Sequence, residues 1–174
     1  MSWIQVYSGG SFDPAHPLVE EVSIVDIAHS LSQLCRFTGH SRSFYSVAQH
    51  SVLVSQNVPA GMELAGLLHD TAEAYLGDMS APVKRLFPDF EAMELRVLAV
   101  IAAKYKLTLP FPPEVFQVDK RMVMTERREV LLPSVLEWRM KYEPYDFQII
   151  PAGPAEAEKM FLTRFFDLWE RQKP

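Results

Sequence analysis

The chain has 174 residues, 48% of them hydrophobic, and a formal net charge of -5, which suits a single domain with one buried core. The acidic balance argues against a broad surface that coats a nucleic-acid polymer, since that would need an excess of Lys and Arg. The single cysteine, Cys35, excludes an intramolecular disulfide and a cysteine-based metal cluster, so histidines and carboxylates must supply any metal site.

The opening MSWIQVYSGG has no basic stretch followed by an apolar one, and no run reaches the length of a bilayer crossing. A cytoplasmic protein with no membrane partner is therefore expected. Residues 1–24 are rich in Gly, Ser, Pro and aromatics and lack periodicity, which predicts an irregular N-terminal arm with a small hairpin about Gly9 and Gly10. From Val25 to Phe37, apolar residues at Ile27, Leu31, Leu34 and Cys35 follow helical spacing, with Asp26 as the expected cap. A polar loop, FTGHSRSF, follows. Ser46 and Gln49 then form an S-x-x-Q capping-box pattern, which starts a helix that carries His50 in its first turn.

The next predicted helix runs from about Met62 to Leu76 and stops at Gly77. A short turn or helix spans SAPVKRLF, and after Pro88 a long run of strong helix formers continues until the TLPFPP breakers. Pro113 opens a further helix through PEVFQVDKRMVMTERREVLL. An amphipathic helix, PAEAEKMFLTRFFDLWERQ, closes the chain. With no internal repeat and no long linker, the expectation is an all-α, single-domain bundle over 1–174, with the helical core spanning 25–174.

Within LLHDTAEAYLGD, the adjacent His69 and Asp70 sit at the end of an apolar run, where an unpaired carboxylate is costly. On a continuous helix His69 and Glu73 share a face, whereas Asp70 is offset by about 100°. His69 and Asp70 can thus serve one metal only if the ion lies over the edge between them. His50 can approach from another helix. Asp119, among Val115, Met122 and Val123 at helical spacing, is the candidate fourth ligand, because a carboxylate on an apolar stripe needs a cation. Residue types and spacing leave a second reading open, with hydrogen-bonded core histidines and an Asp119 paired to Lys120 or Arg121 at the surface. Glu73 and Asp78 then read as a solvated face and a helix-stop acid.

The ordered set VAQHS (Val47 to Ser51), LLHDTAEAYLGDMSAPVK (Leu67 to Lys84) and VDK about Asp119 resembles the HD-domain metal-dependent phosphohydrolases, especially the small group of bacterial 5'-deoxynucleotidases and their phage relatives. The resemblance covers Ile27 to Glu126. It implies an HD-type helical bundle in which His50, His69, Asp70 and Asp119 bind a divalent ion, with Mn, Co, Fe, Ni and Zn all compatible with such a set. It also implies that Glu73 and Asp78 are the catalytic acids beside the attacking water, that Arg36 binds the phosphate and that Lys84 faces it. The chain departs from the family pattern at Phe37, where relatives often carry Trp, and in the polar loop from His40 to Ser43. Both lie where the base and sugar are expected, which adds Phe37 to the candidate substrate-binding residues, and Arg42 or His40 joins Arg36 and Lys84 as a candidate to neutralise the phosphate charge.

The activity implied is hydrolysis of a 5'-(deoxy)nucleoside monophosphate to nucleoside and phosphate, in a protein whose homo-oligomerisation is left open. Two alternatives are a deoxynucleoside triphosphate triphosphohydrolase and a catalytically silent nucleotide-binding regulatory module. Glu73 and Asp78 weigh against the second, because a pure binder has no need of acids beside the water.

Overall fold

The structure is a computed structural model, which describes residues 3–138 and 141–172. The first two residues of the predicted arm and the last two of the predicted core lie outside the described residues. The fold is mostly helical, and its one sheet among the described residues is a hairpin of two short strands, β1 (Ile4–Gln5) and β2 (Ser11–Phe12). They pair antiparallel with Ile4 opposite Phe12, and Gly9 at φ +87° supplies the left-handed turn between them. The arm does not lie loose on the surface. Phe12 is fully buried and stacks on Tyr75 with ring centroids 3.7 Å apart.

Helix α1 spans Ile24–Gln33, shorter at its C-terminus than the sequence suggested, and its cap is Ser23, not Asp26. Ser23 has the extended backbone a capping residue needs, and its hydroxyl accepts from the Asp26 amide. The Asp26 carboxylate is thereby free to accept from the Ser8 amide and hydroxyl at 2.7 and 3.0 Å, which fastens the hairpin to α1. The helix ends early because Leu34 turns extended and the chain pairs with the segment that enters α2: Arg36 N–H donates to Tyr45 O and Val47 N–H to Leu34 O. The intervening loop is closed at its base. That brings Arg36 beside Tyr45.

Helix α2 (Val47–Asn57) runs through the middle of the molecule and meets α1, α3 (Glu63–Leu68), α7 (Pro113–Glu129) and α8 (Pro154–Glu170). Ser46 accepts from the Gln49 amide as the capping pattern predicts, but the Gln49 side chain does not complete the box. It instead holds Ile150 O and Ala152 N–H, both at 2.8 Å, and pins the segment ahead of α8 against α2. Helices α4 (Glu73–Leu76), α5 (Ala81–Lys84) and α6 (Pro88–Lys104) complete the set among the described residues. The α8 stripe Ala157, Phe161, Phe165 and Leu168 closes the main core against α1 and α2, as its amphipathic spacing implies. A second apolar cluster, with Val54, Val118, Met122 and Tyr45, packs α7 onto α2.

The predicted helix from Met62 to Leu76 is broken in the middle. Its two pieces are α3 and α4, joined by tight turns through His69, Asp70 and Thr71. The Thr71 hydroxyl takes the Leu68 carbonyl at 2.6 Å, and amide bonds from Thr71, Glu73 and Ala74 reach back only three residues. Gly77, at φ +82°, ends α4 as expected and donates its amide to Glu73 O.

Candidate metal centre

His50 is fully buried in the first turn of α2, and its ring is fixed from behind. Its Nδ1 lies 2.6 Å from Glu126 Oε1 on α7, and that carboxylate oxygen also accepts from Tyr45 OH at 2.8 Å. The other oxygen, Oε2, accepts from Arg36 at 3.1 Å. Burial alone would raise the Glu126 pKa, but Arg36, His50 and Tyr45 outweigh it and hold the carboxylate below its usual range. An ionised carboxylate only accepts, so the proton of the His50–Glu126 bond sits on His50 Nδ1. His69, at the break after α3, donates its Nδ1–H to Gly66 O at 2.8 Å by the same logic. Both imidazoles therefore turn Nε2 inward, and the two nitrogens lie 3.4 Å apart.

Two carboxylates face them. Asp119 Oδ1 on α7 is 3.3 Å from His50 Nε2 and 3.9 Å from His69 Nε2. Asp70 Oδ2 is 3.5 Å from His50 Nε2 and 3.3 Å from His69 Nε2. His50, His69 and Asp119 form a triad whose donor atoms all lie within 4.8 Å of one another. At the break between α3 and α4 the adjacent His69 and Asp70 side chains reach the same point, with His69 Nε2 and Asp70 Oδ2 3.3 Å apart. Asp119 takes no part in the surface pairing left open above: Lys120 lies over Tyr142, and Arg121 lies over Tyr145 and donates to Glu143 O.

The donor chemistry fits a divalent ion. Two neutral imidazole nitrogens and carboxylate oxygens suit a borderline transition metal, and the Glu126–His50 bond is the kind of support that orients a metal-bound histidine. Burial would lower the His50 pKa and Arg36 adds to that, but Glu126 and Asp119 hold it up at about 9. For His69, burial is likewise outweighed by Asp70 and Asp119, and its pKa is raised. Asp119 goes the other way: hydrogen bonds and charge from both imidazoles overcome its burial and hold it well below the usual carboxylate range. So much proton-binding power on the imidazoles marks a place where positive charge is wanted.

The cluster opens into a cavity of about 1240 Å³, lined by Arg36, Phe37, His40, Asp70, Glu73, Asp78 and Asp119 among others. Glu73 is buried and its Oε2 has no hydrogen-bond partner. Burial, then the charges of Asp70 and Asp78, push its carboxyl well above the usual range despite Arg36 and Lys84. Burial also raises Asp78, against the pull of Arg36. Arg36 is itself buried, and its charge is shared between Glu126 and, at 3.6 Å, Asp70.

Two expected phosphate-facing cations are engaged by other partners. The Lys84 ammonium is bound to Glu94 at 2.7 Å, and Arg85 rather than Lys84 lines the cavity. Arg42 ties two stretches of the cavity wall together, its amide on Val130 O and its guanidinium on Glu129 O. Phe37 and Thr38 both have left-handed backbones, at φ +55° and +54°, a conformation that costs non-glycine residues about 1–2 kcal/mol each.

Glu126 and Trp138 escaped sequence reasoning. Glu126 carried a readable signal, two turns beyond Asp119 on the same stripe as Met122. Trp138 carried none, since it follows a segment without periodicity.

Fold and site together define a mostly helical protein with a His/Asp cluster, suited to one divalent ion, at the floor of an open cavity. The chain belongs to the family of "Uncharacterized protein YfdR" of Escherichia coli (strain K12), to which it is 44% identical over 178 residues, 99% of each chain. An uncharacterized protein of Rhodobacter capsulatus is 28% identical over 170 residues, 92% of this chain and 79% of the relative. No model of a known protein family matches the chain. No described helix is long and apolar enough to cross a membrane.

Proposed function

We propose that this chain is an HD-type metal-dependent phosphohydrolase that cleaves a 5'-(deoxy)nucleoside monophosphate to nucleoside and phosphate. One observation carries the reading. Residues distant in sequence, His50, His69 and Asp119, converge in one metal-sized triad with Asp70 beside it, and the same cavity holds a buried acid, Glu73, with an unpaired oxygen.

His50, His69 and Asp119, with Asp70 beside them, would hold the ion. When bound, a divalent ion polarises a phosphoryl oxygen and lowers the pKa of water toward neutrality. Glu73, whose carboxyl is pushed up by burial and by the charges of Asp70 and Asp78, is placed to give its proton to the sugar oxygen as the P–O bond breaks and to recover one from the attacking water. The Asp78 charge adds to that upward push, and Asp78 lines the same cavity. Arg36 and Arg85 meet the phosphate charge, Arg36 from a fixed position and Arg85 from the exposed rim.

The test is to load the protein with each candidate metal and identify the products from nucleoside mono-, di- and triphosphates. Inorganic phosphate from monophosphates is the expected product. Intact triphosphate released from triphosphates would move the reading to a triphosphohydrolase. Tight nucleotide binding with no turnover under any metal would leave a binding module.

A further inference from the structure

The cavity that holds the His/Asp cluster changes character away from it. Arg36, at the polar end, lies under the Phe37 ring at 5.4 Å, and the Phe37 ring in turn faces Trp138 with centroids 6.4 Å apart and planes tilted by 56°. Phe37, Trp138, Val123 and Leu131 all line the cavity. Trp138 is singular in its segment. Every residue from Leu132 to Glu137 is exposed, with Leu132 at 70% and Val135 at 100%, whereas Trp138 is half-buried and turned to the cavity. Arg127, which does not line the cavity, sits over the Trp138 ring at 5.4 Å and braces it.

A second observation concerns Phe37 itself. It and Thr38 are held in consecutive left-handed conformations that side chains with a Cβ disfavour, and both line the cavity. Strain kept at a cavity wall points to a requirement on where the ring is placed. Two aromatic rings in tilted contact, one braced by a guanidinium, make an aromatic wall against which a planar ring can lie.

The geometry points to Trp138, with Phe37, as a stacking subsite for the heterocyclic base, so that Trp138 determines specificity for nucleotides over base-free sugar phosphates. The inference rests on the phosphohydrolase reading and deepens it. Apolar side chains and aromatic faces make up most of this end of the cavity, and every base has a π-face. The subsite therefore accepts purines and pyrimidines alike and rejects a ligand without a base.

The experiment compares kcat/KM of the metal-loaded protein for a purine and a pyrimidine 2'-deoxynucleoside 5'-monophosphate with that for 2-deoxyribose 5-phosphate. Wild type should prefer both nucleotides. Trp138→Ala should cut that preference by about tenfold, the scale of one base–aromatic stack, and Trp138→Phe should retain most of it. An unchanged preference in Trp138→Ala, or none in wild type, overturns the inference. Should wild type hydrolyse none of the three, the phosphohydrolase reading fails, and stacking is then read by tryptophan fluorescence. Quenching by the nucleotide in wild type, lost in Trp138→Phe although Trp3 and Trp169 remain, supports the subsite; no quenching overturns it.

Discussion

At the floor of the cavity His50, Tyr45 and Glu126 are fully buried, and the outward nitrogen of each imidazole is bonded to a partner that fixes its tautomer. The wall is built differently. The turn after Arg36 and the segment from Leu132 stand in solvent, with short-range bonds such as Ser41 to Ser43 O and the Leu136 amide to Ser134, and Arg42 ties the turn to Glu129 and Val130 at the end of α7. A buried carboxylate network tolerates little change, because removing one partner leaves another uncompensated. An exposed wall can vary at small cost to stability. On the proposed reading, floor residues govern whether the reaction happens, and wall residues govern on what.

Changes at the floor should have the largest effects. Asp119→Ala removes a charged donor from between the two imidazoles, and metal affinity should fall by more than about a hundredfold, read by elemental analysis and calorimetric titration. Full occupancy in that variant would remove Asp119 from the ligand set. Glu73→Gln should keep metal and nucleotide while turnover drops by about a hundredfold or more. Loss of metal would instead make Glu73 a ligand.

Glu126→Gln touches no ion, so its effect should be smaller, about ten- to a hundredfold in metal affinity, through a His50 ring that is no longer held in one tautomer. An affinity equal to wild type would show that the floor does not depend on its buried network. The next effect is on pH dependence. In the metal-free protein the His50 pKa is about 9, so an ion must displace its proton below that pH. Affinity should weaken by about tenfold per pH unit on going down from there. The sign reverses for the stability of the metal-free protein: the His50 contribution is complete below the ordinary 6.5 and is lost as pH rises through about 9. A pH-independent affinity between 6 and 9 would contradict this shift.

The smallest effect belongs to the wall. Thr38 at φ +54° is a site where glycine is easier to accommodate, and Thr38→Gly should stabilise the fold by up to about 1 kcal/mol in urea unfolding. Destabilisation there would mean that the Thr38 side chain holds the turn.

The helices at the centre and the C-terminus were legible because their signals are local: the Ser46 cap, Pro113 at a first turn, and the apolar stripe of the last helix. Asp119 was legible because a carboxylate on an apolar stripe stands out. The break after Leu68 was not, since Thr71 taking a backbone carbonyl leaves no mark on hydrophobic spacing. Ser23 as the cap of α1 was passed over for Asp26, which is drawn to the hairpin by Ser8, a contact between residues that sequence spacing does not relate. Lys84 and Arg42 are cations near the site in sequence, but Glu94 and the carbonyl of Glu129 claim them in space.

On the proposed reading, phosphate release requires a divalent ion in the His50, His69, Asp70 and Asp119 cluster. Chelator-stripped protein should be titrated with a divalent ion while phosphate release from a deoxynucleoside monophosphate is followed. The expected result is no release from stripped protein and a rate that rises in proportion to bound metal, saturating at one ion per chain. Equal release with and without metal, or one bound ion per chain and no release from any nucleotide, would contradict the account.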